Sequence, residues 1–418
     1  MKMLGPLRQR DFALLWSGTL VSLLGDGIYL VAIPFAVLGL SDSAAALSLV
    51  GVAWSLGMLG FLLLGGILAD RRDKRHQLLA ADAIRLAALG GAGALSLAGA
   101  LEVWHLVALS FVYGAGEGLS GPAMGAIVPE LVPEPLLVQA NALAQSVRPL
   151  AMRLAGPALG GAAVAVLGIG GALLADAGTF AISMACLLAM RARAVDRPGE
   201  HEPLRVQLRE AGSFVRSQTW LWATLMMAAL VLLVFLGPTE VLLPFRMKHD
   251  LGSTAGSFGL VLAAGGVGTV IGTVAIGHLG VPRREISFLY WVWGLAAFAL
   301  CGYALAGAVW QLVLFSFGYG LLNGAGNPIW ATLMQVRVPP ALRGRVSSLD
   351  WLVSVALTPV SFALVGPLAA LAGAQRTLLL AGLLGGCATI AALYVVPGLR
   401  GEDGGLSRAG AAAQPDPT

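Results

Sequence analysis

Apolar residues run along this chain in long blocks, and polar residues collect in the short gaps between them. A helix needs about 20 predominantly apolar residues to cross a bilayer. Twelve blocks meet that length, at approximately 12–40, 45–69, 77–100, 103–127, 138–167, 170–191, 219–246, 254–280, 286–306, 309–331, 346–371 and 376–397. The shortest gap, near Gly168 to Gly171, joins two spans that could be read as one. The first block is too long for the apolar region of a secretion signal, about 7–15 residues, so it is expected to remain as a span.

The pattern predicts an all-α membrane protein with twelve transmembrane helices in two six-helix bundles. The longest polar interruption separates an N-terminal bundle at 1–191 from a C-terminal bundle at 218–397, leaving a cytoplasmic linker at 192–217. In that linker Leu204, Leu208, Ala211 and Phe214/Val215 share one helical face and arginines occupy the rest. This predicts a short amphipathic interfacial helix, with a plain solvated linker as the alternative. The tail at 398–418, rich in Gly, Ala and Pro, is expected to be disordered and cytoplasmic.

The bundles are expected to be pseudo-symmetric. Phe111, Tyr113, Gly114, Gly118 and Pro122 match Phe317, Tyr319, Gly320, Gly324 and Pro328 at a constant separation of 206 residues. The same separation superimposes Val132-Pro133 on Val338-Pro339 and Leu136 on Leu342. A parallel repeat of this kind is the signature of a two-bundle transporter.

Composition agrees with a chain that lives in lipid. It is 57% hydrophobic and 11% charged, with a mean hydropathy of +0.82, against roughly 25% charged residues in a soluble domain. Soluble enzymes, nucleic-acid binders and disordered scaffolds are thereby poor fits. The net charge of +4 is explained by placement. Twenty of the 26 Lys and Arg residues fall at the termini and in alternate gaps. By the positive-inside rule both termini are cytoplasmic, in a multi-pass protein of the inner or plasma membrane, and no nucleic-acid partner is needed to explain the charge. Cys186, Cys301 and Cys387 lie in apolar runs without metal-ligand spacing and read as core hydrophobes.

Ionisable residues inside spans are costly and mark functional sites. Asp26 lies near the middle of span one, Glu117 near the middle of span four, and Arg148 and Arg153 in the inner half of span five. Asp82 and Arg85, spaced i,i+3 near one end of span three, are expected to pair locally or snorkel. Asp176, Glu240 and Asp350 fall nearer span ends, where interfacial solvation is expected. The second half offers mainly aromatics and amides: Trp291, Trp293, Tyr319, Asn323, Asn327, Trp330 and Gln335. This asymmetry predicts coupling carboxylates in the first bundle and an apolar, aromatic substrate wall in the second. Burial disfavours an ionised carboxylate and a nearby guanidinium restores it. Asp26 and Glu117, with Tyr113 between them in sequence and Arg148 or Arg153 within reach, are therefore the candidate proton-binding groups. A permanent ion pair between helices is the competing reading.

The stretch after span two, Gly66-Ile-Leu68-Ala69-Asp70-Arg71-Arg72-Asp73-Lys74-Arg75-His-Gln-Leu78, resembles the signature loop of the major facilitator superfamily, G-x-L-a-D-r-x-G-r-k-x-x-l, with Asp73 replacing the second glycine. Gly66 permits close helix packing, Asp70 can meet a helix N-terminus, and the basic residues can bridge to Glu130 or Glu134. The resemblance implies a cytoplasmic latch of Gly66, Asp70, Arg71, Lys74, Arg75 and Glu130 that closes in the outward-facing state. An ordinary positive-inside loop would explain the arginines but not the Gly-x-x-x-Asp register. The matching stretch of the second half, Ile276 to Arg284, lacks the acid, so the latch should be asymmetric.

In span five, Gly156-Pro157-Ala-Leu-Gly160-Gly161 resembles the G-P-x-x-G-G element of the superfamily's antiporters. Proline kinks a helix and the glycines allow the opposite bundle to approach; generic small-residue packing is the bland reading. Leu7 to Phe12, Gly25-Asp26, Gln139 to Leu143 and Leu208 to Arg216 are similar to the macrolide-efflux and enterobactin-exporter branch of proton-driven exporters. The resemblance implies a proton-coupled exporter of amphipathic small molecules or drugs, working by alternating access as a monomer without cofactor or metal. A specific metabolite or siderophore exporter or importer is the alternative. Many drug antiporters of the superfamily carry an arginine in span four, three residues before a glycine; Phe111 stands there instead, which argues against the usual arginine-based proton route. A membrane-embedded enzyme is disfavoured. The five histidines are scattered, and no H-E-x-x-H, C-x-x-C, G-x-S-x-G or phosphate-binding G-x-x-x-x-G-K-[ST] motif occurs. No repeated filter segment suggests a channel.

Overall fold

The computed structural model describes residues 2–191 and 204–404, and every regular element among them is helical. The first group comprises α1 (Arg10–Leu40), α2 (Ala44–Arg71), α3 (Lys74–Leu97), α4 (Val103–Leu131), α5 (Leu137–Pro149) and α6 (Gly156–Ala189). After α7 (Leu204–Ser217) follow α8 (Thr219–Gly237), α9 (Leu243–His249), α10 (Ala255–Leu279), α11 (Glu285–Ala297), α12 (Ala299–Leu305), α13 (Val309–Arg337), α14 (Pro340–Ala356), α15 (Thr358–Ala372) and α16 (Ala374–Val395). Among the described residues, nine helical segments are long and apolar enough to cross a membrane.

Prolines and glycines punctuate these segments where the chain requires it. π-helical turns at Leu150–Ala155 and Pro238–Leu242 link α5 to α6 and α8 to α9. Each lies beside a proline, whose missing N–H and bulky ring disturb the i to i−4 ladder. The 43-residue stretch Val147–Ala189 is broken at Gly168, whose φ of +70° suits glycine. The expected short gap falls at this residue.

Small residues set the helix pairs. Gly114 and Gly118 of α4 face backbone atoms of Trp54 and Met58 on α2, and Gly320 and Gly324 of α13 face Gly265 and Thr269 on α10. A side chain at any of the four would strike backbone, so these helices approach as closely as small residues permit. The repeat seen in the sequence is thus a repeat of packing. It also extends to stacked rings: Tyr29 lies 4.3 Å from Tyr113, and Phe235 lies 4.9 Å from Tyr319, each pair nearly parallel.

The two groups of helices meet at one end only. There a single apolar core draws on both, from Ile33, Leu38 and Val50 to Leu243, Phe258 and Val365. At the opposite end, beside the described chain termini, one core holds residues 12–190 and a separate one holds residues 211–399. The polar links between the groups cluster at the joined end. Lys248 pairs with Asp42 at 3.6 Å and donates to the Leu38 carbonyl, and His249 Nε2 lies 3.6 Å from Asp42. Ser48 donates to the Phe362 carbonyl and accepts from Gly366 N–H at 3.2 Å.

α7 carries the expected apolar face where its side chains are described. Ala211 is fully buried and Phe214 and Val215 pack on the second group's core, while Arg209 and Arg216 are exposed. An ion pair from Glu210 to Arg345 ties α7 to α14. Residues 192–203 lie outside the described residues.

The expectation of a disordered tail from Gly398 is corrected for its first residues. Leu399 is buried, and Asp403 accepts from the N–H groups of Ile286 and Ser287 at 2.9 and 3.0 Å. Arg337 bonds both Glu285 and the Glu402 carbonyl at 2.6 Å. Capping the orphan donors at the start of α11 gives this segment a fixed seat. Residues 405–418 lie outside the described residues.

Candidate functional site

Asp26 and Glu117 stand at the centre of the first group, on facing turns of α1 and α4. Both line two cavities. One, about 780 Å³, runs toward the joined end past Ile33, Val50 and Phe362. The other, about 1350 Å³, runs toward the opposite end past Trp16, Asn141 and Arg148. The two carboxylates therefore sit on the boundary between two compartments.

Each carboxylate has its own set of partners. The Tyr113 hydroxyl donates to Asp26 Oδ1 at 2.5 Å, and Arg85 approaches the same oxygen at 3.8 Å. Arg85 also bonds Asp82 at 2.5 Å and lies 4.3 Å above the Phe180 ring. Trp54 Nε1 donates to Glu117 Oε2 at 3.0 Å, and Arg148 reaches Oε1 at 4.0 Å. Charge-assisted bonds of this kind are stronger than neutral ones and fix the acceptor's position.

Several sequence expectations change here. Arg148 serves Glu117, but Asp26 is served by Arg85, which pairs with Asp82 as expected and reaches further. α3 thus supplies the buried guanidinium, while Phe111 on α4 faces outward against Phe61. Arg153 reaches neither Asp26 nor Glu117. It is exposed on the π-helical turn, within electrostatic range of Glu240 of the second group.

The three acids expected near solvated span ends are not there. Glu240 lines the cavity shared by Asp26 and Glu117. Asp176 is 0% exposed, with Oδ1 beside Thr179 and Oδ2 lacking a protein partner. Gly25 has no side chain because Asp176 and Thr179 occupy the space one would need. Asp350 lines a third cavity. Glu240 sits on a π-helical turn and Asp176 follows the break at Gly168, so distance from a polar gap does not measure how buried they are.

That third cavity, about 970 Å³, lies wholly in the second group. Tyr319, Asn323, Asn327 and Trp330 line it together with Trp293 and Asp350, in a space separate from those that Asp26 and Glu117 line. Trp330 Nε1 donates to Asp350 Oδ2 at 3.2 Å, and its ring packs edge-on against Trp220 and tilted against Trp293.

The loop after α2 is held by charge. Lys74 pairs with Glu130 at 2.6 Å, and Arg75 donates to the Leu187 and Leu188 carbonyls at 2.6 and 2.8 Å, close to the end of α6. Asp73 caps α3 by accepting from Arg75 N–H at 2.8 Å, which explains an acid at a position where the loop pattern has glycine. Arg71 is exposed, and the side chain of Asp70 lies outside the described residues. Close packing expected at Gly66 falls instead at Gly65, where an added Cβ would lie 2.7 Å from the Gly118 carbonyl; at Gly66 it would meet nothing.

In span five the glycines divide their work. Gly156 and Gly160 lie against Gly27 and Ile28 of α1, and Gly161 lies against Gly256 on α10. Only Gly161 of the three meets the opposite group, a correction to the expectation that all would. Pro157 follows the π-helical turn, which takes up the disturbance the proline causes.

Among the described residues, no cluster of three or more His, Cys, Asp or Glu side chains could hold a metal ion. The arrangement is suited to binding protons and small organic molecules in compartments separated by a narrow, charged waist.

Residues 1–403 match the family model described as transmembrane secretion effector. The chain is 27% identical over 398 residues to the multidrug efflux pump Tap of Mycobacterium tuberculosis, covering 92% of this chain and 93% of that protein. It is 25% identical over 391 residues to macrolide efflux protein A of Streptococcus pyogenes, covering 91% and 94%. Among solved structures, a bacterial homologue of the human lysosomal transporter Spinster, in an inward-facing and unoccupied conformation, superposes with a TM-score of 0.70 at 14% identity over 99% of this chain and all of that one. A bacterial homologue of the iron transporter ferroportin, also inward-facing, gives 0.66 at 18% identity, covering 92% and 98%.

Proposed function

Because the chain belongs to the transmembrane secretion effector family of the major facilitator superfamily, we propose that it is a secondary active exporter of amphipathic small molecules or drugs, driven by protons. The observation that carries this reading is the position of Asp26 and Glu117, shared by a cavity on each side. A group at that boundary can take up a proton from one compartment and release it to the other. The names of the efflux relatives support export over uptake and over specific metabolite transport.

The chain crosses the membrane twelve times in this reading. α4 and α13 each have 29 residues, enough to span, and the break at Gly168 divides one long apolar stretch into two. Residues 1–191 and 218–397 then form two six-helix bundles joined by a cytoplasmic linker. The positive-inside rule puts both termini in the cytoplasm, so the joined end faces out and the open end faces in. The state described is inward-open. Inward-open geometry in the Spinster and ferroportin homologues fits that assignment.

Substrate enters from the cytoplasm while Asp26 and Glu117 are ionised, held by Tyr113, Arg85, Trp54 and Arg148. The bundles then rock. The latch of Gly66, Asp70, Arg71, Lys74, Arg75 and Glu130 closes the cytoplasmic end, and the seal around Ser48 and Phe362 opens. A proton from outside neutralises a carboxylate, substrate leaves, and the protonated protein returns. One chain contains every part of the cycle, so a monomer suffices.

Efflux from loaded cells or everted vesicles, with and without a protonophore, tests the reading. Substrate should accumulate in everted vesicles only while a proton gradient lasts. Protonophore-insensitive accumulation would overturn proton coupling, and an Asp26→Asn protein that still pumps uphill would remove Asp26 from it.

A further inference from the structure

The carboxylates of the two bundles differ in their company. In the first, Asp26 and Glu117 each have a guanidinium partner, from Arg85 and Arg148. Glu240 lies within electrostatic range of Arg153. Asp176 and Asp350 form no ion pair among the described residues; Asp176 is sealed at 0% exposure, whereas Asp350 is open to a cavity. That cavity, about 970 Å³, has no Lys or Arg among its walls. Among the described residues the one hydrogen bond to the Asp350 carboxylate comes from Trp330 Nε1 at 3.2 Å, which orients the group but brings no charge.

The largest side chains of the wall are aromatic, set among aliphatic residues and a few hydroxyls. Trp293, Trp330, Tyr290, Tyr319 and Phe235 surround the space, with the amides of Asn323 and Asn327 on α13. Aromatic faces attract organic cations through their quadrupoles, and more strongly when water is excluded. An unpaired carboxylate in a low-dielectric pocket gains most from a ligand that carries the missing positive charge. A metal ion fits poorly here: the wall supplies one carboxylate and neither His nor Cys, and no group of three or more such side chains occurs among the described residues.

From this pairing we infer that the Asp350 cavity binds lipophilic organic cations, amines or onium ions with aromatic or alkyl bulk, and that Asp350 is their counter-ion. The inference builds on the exporter reading by naming a substrate class and a site. It also separates the substrate's charge from the proton's: the cation is met on α14, the proton on α1 and α4. A cationic substrate then need not displace the proton from the same oxygen.

Binding to the purified full-length chain in detergent tests this without any transport step. Tetraphenylphosphonium is the cationic probe and triphenylphosphine oxide its neutral counterpart, read by quenching of tryptophan fluorescence. The native protein should prefer the cation by at least about tenfold, the scale of one charge-assisted contact. Asp350→Asn keeps an oxygen for the Trp330 bond and should lose that preference while binding the neutral probe as before. Asp350→Glu should restore part of it, and Asp26→Asn and Glu117→Gln should retain it. An unchanged preference in Asp350→Asn, equal weakening for both probes, no preference in the native protein, or loss of preference in Asp26→Asn instead would each overturn the assignment. Drug efflux by the native protein is measured separately. A chain that exports but shows no Asp350-dependent preference defeats this site alone, and one that shows the preference but never exports defeats the exporter reading alone.

Discussion

The Tyr113 hydroxyl donates to Asp26 across the interface of α4 and α1, at 2.5 Å. The same ring stacks on Tyr29, whose own hydroxyl donates to Ser110 at 3.3 Å. One tyrosine therefore touches Asp26 and its neighbour does not. Tyr113→Phe should alter the pH dependence of efflux, because it removes a bond worth roughly 1.5–3 kcal/mol to a charged acceptor. Tyr29→Phe, which keeps the stack, should leave the profile in place. Initial efflux rates across a pH series distinguish the two.

Glu117 depends on a different pair. Trp54→Phe removes its indole donor and Arg148→Ala its guanidinium. Arg148 is largely exposed, so its contribution is screened and the rate should fall only a few-fold. Glu117→Gln should cost more, at least about tenfold, since a positioned proton carrier contributes on the order of a hundredfold or more. Steady-state drug accumulation in cells expressing each variant gives the ranking.

The joined end closes on a glycine. The Phe362 ring occupies the space a side chain at Gly51 would need. Gly51→Leu should therefore hold this end open. A cysteine placed at Leu47, nearly buried in the closed arrangement, should become reactive to a membrane-impermeant maleimide in that background and stay unreactive otherwise. Equal labelling in both proteins would show that Phe362 does not seal the end.

Packing at α4 and α13 should respond alike in the two halves. Gly114→Leu and Gly320→Leu each push a side chain into backbone and should destabilise by about 1–3 kcal/mol or more. Gly121→Ala and Gly125→Ala, in open space on the same α4, should be nearly neutral. Thermal unfolding of the detergent-solubilised proteins measures the difference.

The clasp of the C-terminal segment gives a further test. Asp403→Ala removes the acceptor for Ile286 and Ser287 N–H, a loss of roughly 1 kcal/mol for a helix cap. Limited trypsin digestion should then cut at Arg400 faster than in the native chain, while efflux by the intact protein changes little.

Much of this architecture was legible in the order of residues because the bilayer imposes its length on every span. The break at Gly168 follows from that constraint, and the apolar face of α7 from helical spacing. So does the gathering of Tyr319, Asn323, Asn327 and Trp330, whose one- and two-turn spacing on α13 puts them on one face. Partnership was harder to read. That Arg85 would reach Asp26, or that Gly65 and not Gly66 would meet α4, depends on how one helix is rotated against another, which no single helix encodes. Asp176 and Glu240 were misjudged for a related reason. Distance from a gap in the sequence measures depth only in a straight helix, and the chain is irregular near both. The seat of Leu399 to Gly404 on α11 is a contact between segments more than a hundred residues apart, and its short polar sequence resembles any loop.

The stacked rings of α1 and α4 recur between α8 and α13 with the same 206-residue separation, but Leu232 occupies the place that corresponds to Asp26, and Asn323 that of Glu117. If the two halves arose by duplication of one ancestral unit, the aromatic stack belongs to the ancestor and the acids to only one descendant line. Specialisation then needed no new framework, only a few exchanged side chains on a scaffold already copied. The same economy predicts that an acid placed at position 232, on the wall of the second group's cavity, would be accommodated sterically and would give the copied scaffold a second acid-bearing stack.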